Sequence, residues 1–499
     1  MKTKPMAHQD KVWQHSKAEP FYALFWQQGT GKTKTAIDTA CYLHGKKEIN
    51  AVCVIAPNGV HHAWTLKELP KHNWTKSLYL SWEGLNTIKK QKAMRWFMDH
   101  KTNSLKWFTI NIEALNTKNG YTTVLYMLRK HKTLLIVDES SRIKNQKAKW
   151  TKNILSLSNL AFYKRILSGT PLTKNILDLY SQYNFLSPSI LGFTSFYAFK
   201  AHHCQVIKQT AKIKTKDGKE KQWEYEKIVG FLHTDALIEK IQPFTSRVLK
   251  KEVLDLPDKI RQTYYFDLTA KQKKYYKSMK DDMFVLFGVD EEKDFDKEIE
   301  RLLANPDKVA SASIKLTAVM RLRQITQGFV RTESGEDIQI EEEIPKLNGL
   351  IDDLQNFEEK TIIWTPFTFD VDLIIKELSK VFGKSSIARY DGKIKEKQRT
   401  KTRAAFYSKK DPWILVAKPS VGGTGIDEFK IASNIYYYGS DYNAEYRWQS
   451  EDRTHRIGIS QSPIYKDFVC RGTIDEKIIR NIQEKKKTEE KTINTLRDC

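Results

Sequence analysis

YALFWQQGTGKT, residues 22–33, places an apolar run before a glycine-punctuated turn and a basic, hydroxyl-bearing helix start. YALFW (22–26) reads as a strand, and a helix is expected from near Lys32 to Gly45. Strand, tight turn and helix in that order open a parallel α/β layer. Gly29, Thr30 and Gly31 form the turn, whose glycines let backbone N–H groups curl around phosphate oxygens. Lys32 can neutralise β- and γ-oxygens and Thr33 can bind magnesium, so the stretch implies ATP with Mg2+ as its ligand. The longer phosphate-loop pattern fails only at its first position, which is Trp26.

Moving outward, AVCVIAP (51–57), SLYLSW (77–82), WFTINI (107–112), LLIVDE (134–139) and RILSGT (165–170) are further strand candidates. Several are continuous apolar runs, as expected for parallel strands covered on both faces. From about residue 190 the pattern changes. Residues 205–231 offer two β-prone charged arms around Lys216, Asp217 and Gly218, and Asp-Gly between such arms signals a hairpin. Its arms are polar at most positions, so the hairpin is expected to project, with Trp223 as an aromatic able to split strands. Residues 269–330 read as helical and highly charged.

Alternation resumes at KTIIWTPF (360–367), SIARYDG (386–392), WILVAKP (413–419), NIYYYGS (434–440) and PIYKDFV (463–469), with helices at 371–382 and 396–407. The expected fold is α/β with two parallel-sheet domains. Their divisions are a first lobe 1–190, that lobe's insertion with hairpin and linker 191–256, the start of the second lobe with a helical protrusion 257–345, the rest of the second lobe 346–475 and a charged helix 476–499.

Asp138 and Glu139 end the run LLIV. In this architecture the first carboxylate would hold magnesium through water, and the second would orient a water for in-line attack at the γ-phosphate. Arg453 and Arg456, three apart in QSEDRTHRIG (449–458), are expected to share one helix face. Guanidinium forks there would stabilise charge on the transferring phosphoryl group. Gln9, just upstream of the loop, could read an adenine edge.

The chain has 499 residues, enough for two or three domains. Lys and Arg number 84 against 60 Asp and Glu, a net charge of +24, which favours a polyanionic partner through counterion release. Five cysteines (41, 53, 204, 470, 499) form no CxxC pair, which fits a reducing cytoplasm rather than zinc or disulfides. His202, His203 and Cys204 are contiguous, not metal-spaced, and read as ordinary residues. MKTKPMAHQDK lacks an apolar signal-peptide core and no run of 18 apolar residues occurs, so neither secretion nor a membrane span is expected.

The ordered motifs resemble those of superfamily 2 helicases, specifically the Swi/Snf-type double-stranded DNA translocases. KPMAHQ, QQGTGKT, IAPNGVHHAW (55–64), DESSRIKN (138–145), LSGTPLTKN (167–175), VLKKEVLDLPDK (248–259), SVGGTGID (420–427) and QSEDRTHRIG carry the likeness over nearly the whole chain. The resemblance implies two RecA-like lobes with ATP bound in the cleft between them, plus a hairpin and a helical insertion. It also implies that Gln9 contacts adenine, and that Gly29, Gly31, Lys32 and Thr33 contact phosphate. Asp138 and Glu139 would take magnesium and water, while Ser168 and Thr170 would couple hydrolysis to DNA. Gly423, Gly425 and Asp427 would form a loop shared by nucleotide and strand; Gln449, Arg453 and Arg456 would close the site from the second lobe. Two departures stand out: Ser140-Ser141 replaces Ala-His, removing the usual coupling His, and Ile459 stands where Gln follows RIG.

The compact layout resembles phage-encoded and fork-remodelling members. The expected activity is ATP-dependent DNA translocation, by a monomeric motor, that remodels duplex, forked or junction DNA, with replication or recombination proteins as further partners. Displacement of proteins from duplex, RNA unwinding by the same superfamily, and a non-catalytic nucleic-acid scaffold are the alternatives. DESS, LSGT and DRTHRIG favour the DNA branch over RNA, and the full set of hydrolytic residues opposes the scaffold.

Overall fold

The apolar runs of the first third become strands β1 (Phe21–Trp26), β2 (Ala51–Ala56), β3 (Ser77–Ser81), β4 (Leu105–Asn111), β5 (Thr133–Asp138) and β6 (Tyr163–Leu167) of the computed structural model. The structure describes residues 1–172, 175–214, 220–287, 289, 291–304, 312–421 and 428–495. Two compact units emerge, one comprising Met1–Leu254 and Glu489–Cys499, the other Asp255–Thr488.

In the first unit every residue of β2 and β5 is buried, because helices cover both faces of the sheet. Alternate side chains feed opposite cores. Cys53 and Ile55 join Phe25, Phe108 and Leu135 on one face, while Val52 and Val54 join Leu24, Trp26 and Leu134 on the other. The antiparallel pair β7 (Cys204–Lys214) and β8 (Glu220–Phe231) forms a separate two-stranded sheet, paired from Cys204↔Phe231 to Lys214↔Glu220 with a register shift between Gln205 and Val206. Val206, Ile207, Val229 and Phe231 all stay exposed on it. At its base His203 Nδ1 bonds Leu232 O (3.1 Å) and His202 stacks on His233 at 4.5 Å, a packing role for the contiguous histidines.

The chain then returns to the sheet. Thr245–Val248 is a parallel edge strand, β9, beside β1, giving the order β3-β4-β2-β5-β6-β1-β9. Residues 191–256 were expected to form only an insertion and linker; a short polar strand carries no apolar signal, and its pairing with β1 is tertiary.

In the second unit β10 (Ile260–Phe266) follows at once, and β11 (Phe329–Arg331) pairs antiparallel with β12 (Asp337–Gln339). The runs from residue 360 onward become β13 (Thr361–Trp364), β14 (Ile387–Tyr390), β15 (Ile414–Ala417), β16 (Asn434–Tyr437) and β17 (Ile464–Cys470). They form an all-parallel sheet in the order β10-β17-β16-β13-β15-β14. Ile363, Val416 and Tyr436 face one core, Ile362, Trp364, Leu415 and Tyr437 the other. Each unit is therefore a RecA-like layer: parallel strands, helices on both faces.

The charged stretch after residue 269 forms helices Ala270–Phe287, Glu292–Ala304 and Ala312–Thr326. Met283, Phe295, Ile299, Leu302 and Leu322 of these helices share a core with Trp448 and with Ile474, Ile478 and Ile482 of the final helix, Ile474–Thr495. Among the described residues no helix is long and apolar enough to cross a membrane.

Candidate active site

In a parallel sheet, loops at the carboxyl ends of strands gather into one crevice. Here those ends are Trp26 of β1, Asp138 of β5 and Leu167 of β6, neighbours in the strand order β5-β6-β1. The turn after β1 needs its glycines: Gly29 has φ +87° and Gly31 φ +90°. Gly31 is also packed against Gln9, because a Cβ there would fall 1.8 Å from Gln9 Nε2. The Gln9 side chain is buried and braces the turn: Nε2 donates to Thr30 O (3.1 Å) and Oε1 accepts from Met6 N (3.0 Å). The structure thus places Gln9 on the loop itself; one N–H and one lone pair of the amide remain for a base. Thr30 is buried, with its hydroxyl on Gln27 O at 2.7 Å.

Lys32 opens the helix Lys32–Gly45, and its ammonium folds back to donate to Trp26 O at 2.7 Å. Thr33 follows, half-buried. Asp138 is buried at the end of β5. Trp64 Nε1 donates to its Oδ2 (2.9 Å) and Glu139 N to its Oδ1 (3.0 Å). Burial pushes the Asp138 carboxyl up, while the Trp64 bond, the Lys32 charge and the Glu139 N–H pull it back down. Each carboxylate oxygen keeps a second lone pair, so Asp138 and Thr33 fit a hard cation that retains its water. Glu139 lies in the left-handed region, φ 53° and ψ 56°, where a residue with a Cβ is strained. That backbone, with Gln28 Nε2 donating to Oε1 at 3.2 Å, turns the second carboxylate toward the loop after β1.

The Ser168–Thr170 turn packs against the same loop: a Cβ on Gly169 would lie 3.4 Å from Gln28 N. Ser168 Oγ accepts from Thr170 N at 3.1 Å, and Ser168 N donates to Leu24 O. Arg247 of β9 joins them, donating to Phe25 O (2.6 Å) and Gly169 O (3.3 Å). Lys250 N donates to Gln27 Oε1 at 2.8 Å. Neither Arg247 nor Trp64's bond to Asp138 follows from spacing in the sequence, although a Trp closing IAPNGVHHAW is the signal that points to the second.

In the second unit the helix Ala444–Thr454 carries Gln449 and Arg453. Gln449 Nε2 donates to Glu445 Oε1 at 3.0 Å. Arg453 is 2 % exposed, and none of its three guanidinium nitrogens has a hydrogen-bond partner among the described residues. Burial lowers its pKa to about 10. Expectation placed Arg453 and Arg456 on one helix face; instead the helix ends at Thr454 and Arg456 lies in the bend beyond it. His455 closes the helix by bonding Pro257 O (2.8 Å), and Gly458 turns the chain at φ +91°. Half-buried Arg456 is therefore aimed by this turn rather than by helical periodicity.

Beneath that helix lies a charge cluster missing from the sequence reading. Glu451 accepts two bonds from Arg261 (2.9 and 2.7 Å), one from Lys259 (3.0 Å) and one from Arg447 Nε (2.8 Å). Burial alone would raise the Glu451 carboxyl, but Lys259, Arg447 and Arg261 outweigh it and hold it well below the usual range. Arg447 continues to Asp467 on β17. Its i,i+4 spacing to Glu451 was the available clue. Gly423, Gly425, Asp427, Lys216, Asp217 and Gly218 lie outside the described residues. Trp223 is placed by its backbone alone, opposite Ala211 in the β7–β8 register.

A model described as SNF2-related domain matches residues 23–328, and one described as helicase conserved C-terminal domain matches 342–458. The chain is similar to TATA-binding protein-associated factor MOT1 of Saccharomyces cerevisiae, 29% identical over 378 residues, covering 69% of this chain and 19% of that one. Lymphoid-specific helicase of Homo sapiens is 24% identical over 425 residues, covering 72% and 48%. The chain thus spans about a fifth of the length of the first curated relatives it matches. Among solved structures, the Sulfolobus solfataricus SWI2/SNF2 ATPase core in complex with dsDNA has a TM-score of 0.41 at 22% identity, covering 96% of this chain and 91% of that one. With the first of the two models alone matching well over half its length, the chain belongs to the SNF2-related, Swi/Snf-type branch of the superfamily 2 helicases.

Proposed function

We propose that this protein is an ATP-hydrolysing motor that tracks duplex DNA and remodels branched DNA. One observation carries the motor reading. Arg453 is a buried charged fork whose three guanidinium nitrogens have no hydrogen-bond partner among the described residues. Leaving a guanidinium so placed is costly unless an external anion pairs with it during the working cycle. The triphosphate of ATP, gripped at the glycine turn and Lys32, is that anion in this reading. Bound magnesium would neutralise β- and γ-oxygens, with Thr33 and Asp138 as its holders. Glu139 would accept the proton of the attacking water, its position fixed by the left-handed backbone and Gln28. Arg453 and Arg456 would stabilise charge on the transferring phosphoryl group.

Duplex DNA as the track is supported by family membership and by the +24 charge. Branched DNA as the substrate is supported by β7–β8, a two-stranded sheet of its own with apolar side chains exposed along both arms. The test compares ATP turnover on linear duplex, single strand, fork and four-way junction, with Lys32→Ala as the inactive reference. Stimulation by duplex and junction is expected; stimulation by single-stranded RNA alone would overturn the reading. Replacing residues 210–226 by a short turn should preserve duplex-stimulated turnover and abolish fork processing. Fork processing that survives this deletion would leave protein displacement from duplex as the better account.

A further inference from the structure

We infer that Ser140 and Gln182 form a buried strut that ties the hydrolytic carboxylate segment to the Ser168–Pro171 turn and sets how strongly DNA accelerates ATP turnover. The inference rests on the motor reading above. Ser140 directly follows Glu139, and its hydroxyl donates to Gln182 Oε1 at 2.7 Å. Gln182 Nε2 spends one N–H on Pro171 O and the other on Asp178 O, both at 2.8 Å. Ser140 and Gln182 are each 0 % exposed, amid the apolar core that holds Leu179, Tyr183 and Leu186.

An amide placed in such surroundings is expensive unless its groups are satisfied, and once satisfied it is rigid. Here it connects three segments: the residue after Glu139, the residue after Thr170, and the helix Leu179–Leu186. A displacement of Glu139 on hydrolysis is therefore passed to Pro171 through two hydrogen bonds. The neighbouring hydroxyl provides an internal contrast. Ser141 is 1 % exposed, yet its Oγ has no hydrogen-bond partner among the described residues. Ser141 occupies the place of the missing His, so the usual route is absent and the connection runs instead through Ser140.

The test uses the full chain and the variants Ser140→Ala, Gln182→Leu, the two combined, and Ser141→Ala. Two quantities are read: the ratio of duplex-stimulated to basal turnover, and the change on adding nucleotide in amide hydrogen exchange over residues 168–172. The first three variants should lower the ratio roughly five- to tenfold, with the double variant no worse than either single, as members of one network behave. They should also lose the exchange response, whereas Ser141→Ala should match the native chain in both. The double variant removes both hydrogen-bonding side chains, so a native melting temperature with a lowered ratio separates coupling from unfolding. A double variant that keeps the native ratio and the native exchange response overturns the strut. If no nucleic acid stimulates the native chain, the motor reading fails, and the exchange response alone decides for or against the strut.

Discussion

Burial raises the Asp138 carboxyl above its ordinary value, and Trp64, Lys32 and the Glu139 N–H all work against that rise. Trp64 contributes a single directed bond, which makes it the cleanest of the three to remove. Trp64→Phe keeps an aromatic side chain, smaller than the indole, and deletes the N–H; a hydrogen bond to a charged group is worth about 1.5–3 kcal/mol, so the magnesium needed for half-maximal turnover should rise about tenfold or more. Binding of a fluorescent nucleotide without magnesium should not change, and an unaltered magnesium requirement would show the tether to be idle. Glu139→Gln should retain nucleotide binding but lower turnover by roughly 10²–10⁴-fold in a single-turnover assay, the span expected for loss of a general base. Asp370 makes the pH case. It is fully buried, and desolvation raises its pKa from 3.8 to about 7 despite the Thr365 bond and the charges of Lys346, Arg323 and Lys418. The folded state then holds a proton that the unfolded state releases, so stability falls as pH rises from about 4 to 7 and levels beyond. Asp370→Asn should flatten that slope in melting experiments between pH 5 and 8, the full effect being at most about 4 kcal/mol.

The helix Ala444–Thr454 is held by the cluster around Glu451, which reaches Lys259 and Arg261 on one side and Arg447 on the other. Removing one member of a buried charge network typically costs about 3–5 kcal/mol, because the rest lose their counter-charge. Glu451→Gln should therefore lower the melting temperature of the second unit by several degrees, and lower turnover with it through misplaced Arg453. A normal melting temperature would show the cluster to be ornamental. This helix also shows where the sequence was legible and where it was not. Asn443, whose side chain accepts from Glu445 N, is an ordinary start signal, and the run to Thr454 follows from it. The stop before Arg456 is not visible locally, since it depends on His455 reaching Pro257, 198 residues away in sequence. Long apolar strands such as β2 and β5 could be read because burial on both faces leaves a continuous signal. Strand β10 could not, since five of its seven residues are exposed and only its pairing with β17 makes it a strand. At the site, the glycine turn and Asp138-Glu139 were legible as local chemistry. Trp64, Arg247 and Gln182 act across 74, 78 and 42 residues of chain, where spacing carries no information.

Across the whole molecule the excess of 24 positive charges distinguishes two situations that turnover cannot. Cations gathered along a DNA track release counterions together, whereas cations scattered over a solvated surface release few. The salt dependence of DNA binding counts the difference: log affinity falls with log salt by roughly 0.9 per phosphate neutralised on duplex. A slope of about 5 or more is expected for a motor engaging both strands of its track. Lys32→Ala should leave that slope unchanged while abolishing turnover, because Lys32 is buried against Trp26 O and in the proposed mechanism serves nucleotide rather than DNA. Arg456→Ala belongs to the same comparison: turnover should fall with little change in slope. Should Arg456→Ala reduce the slope by a full phosphate, its side chain would be contacting the DNA backbone, and of the two arginines only Arg453 would remain for the triphosphate.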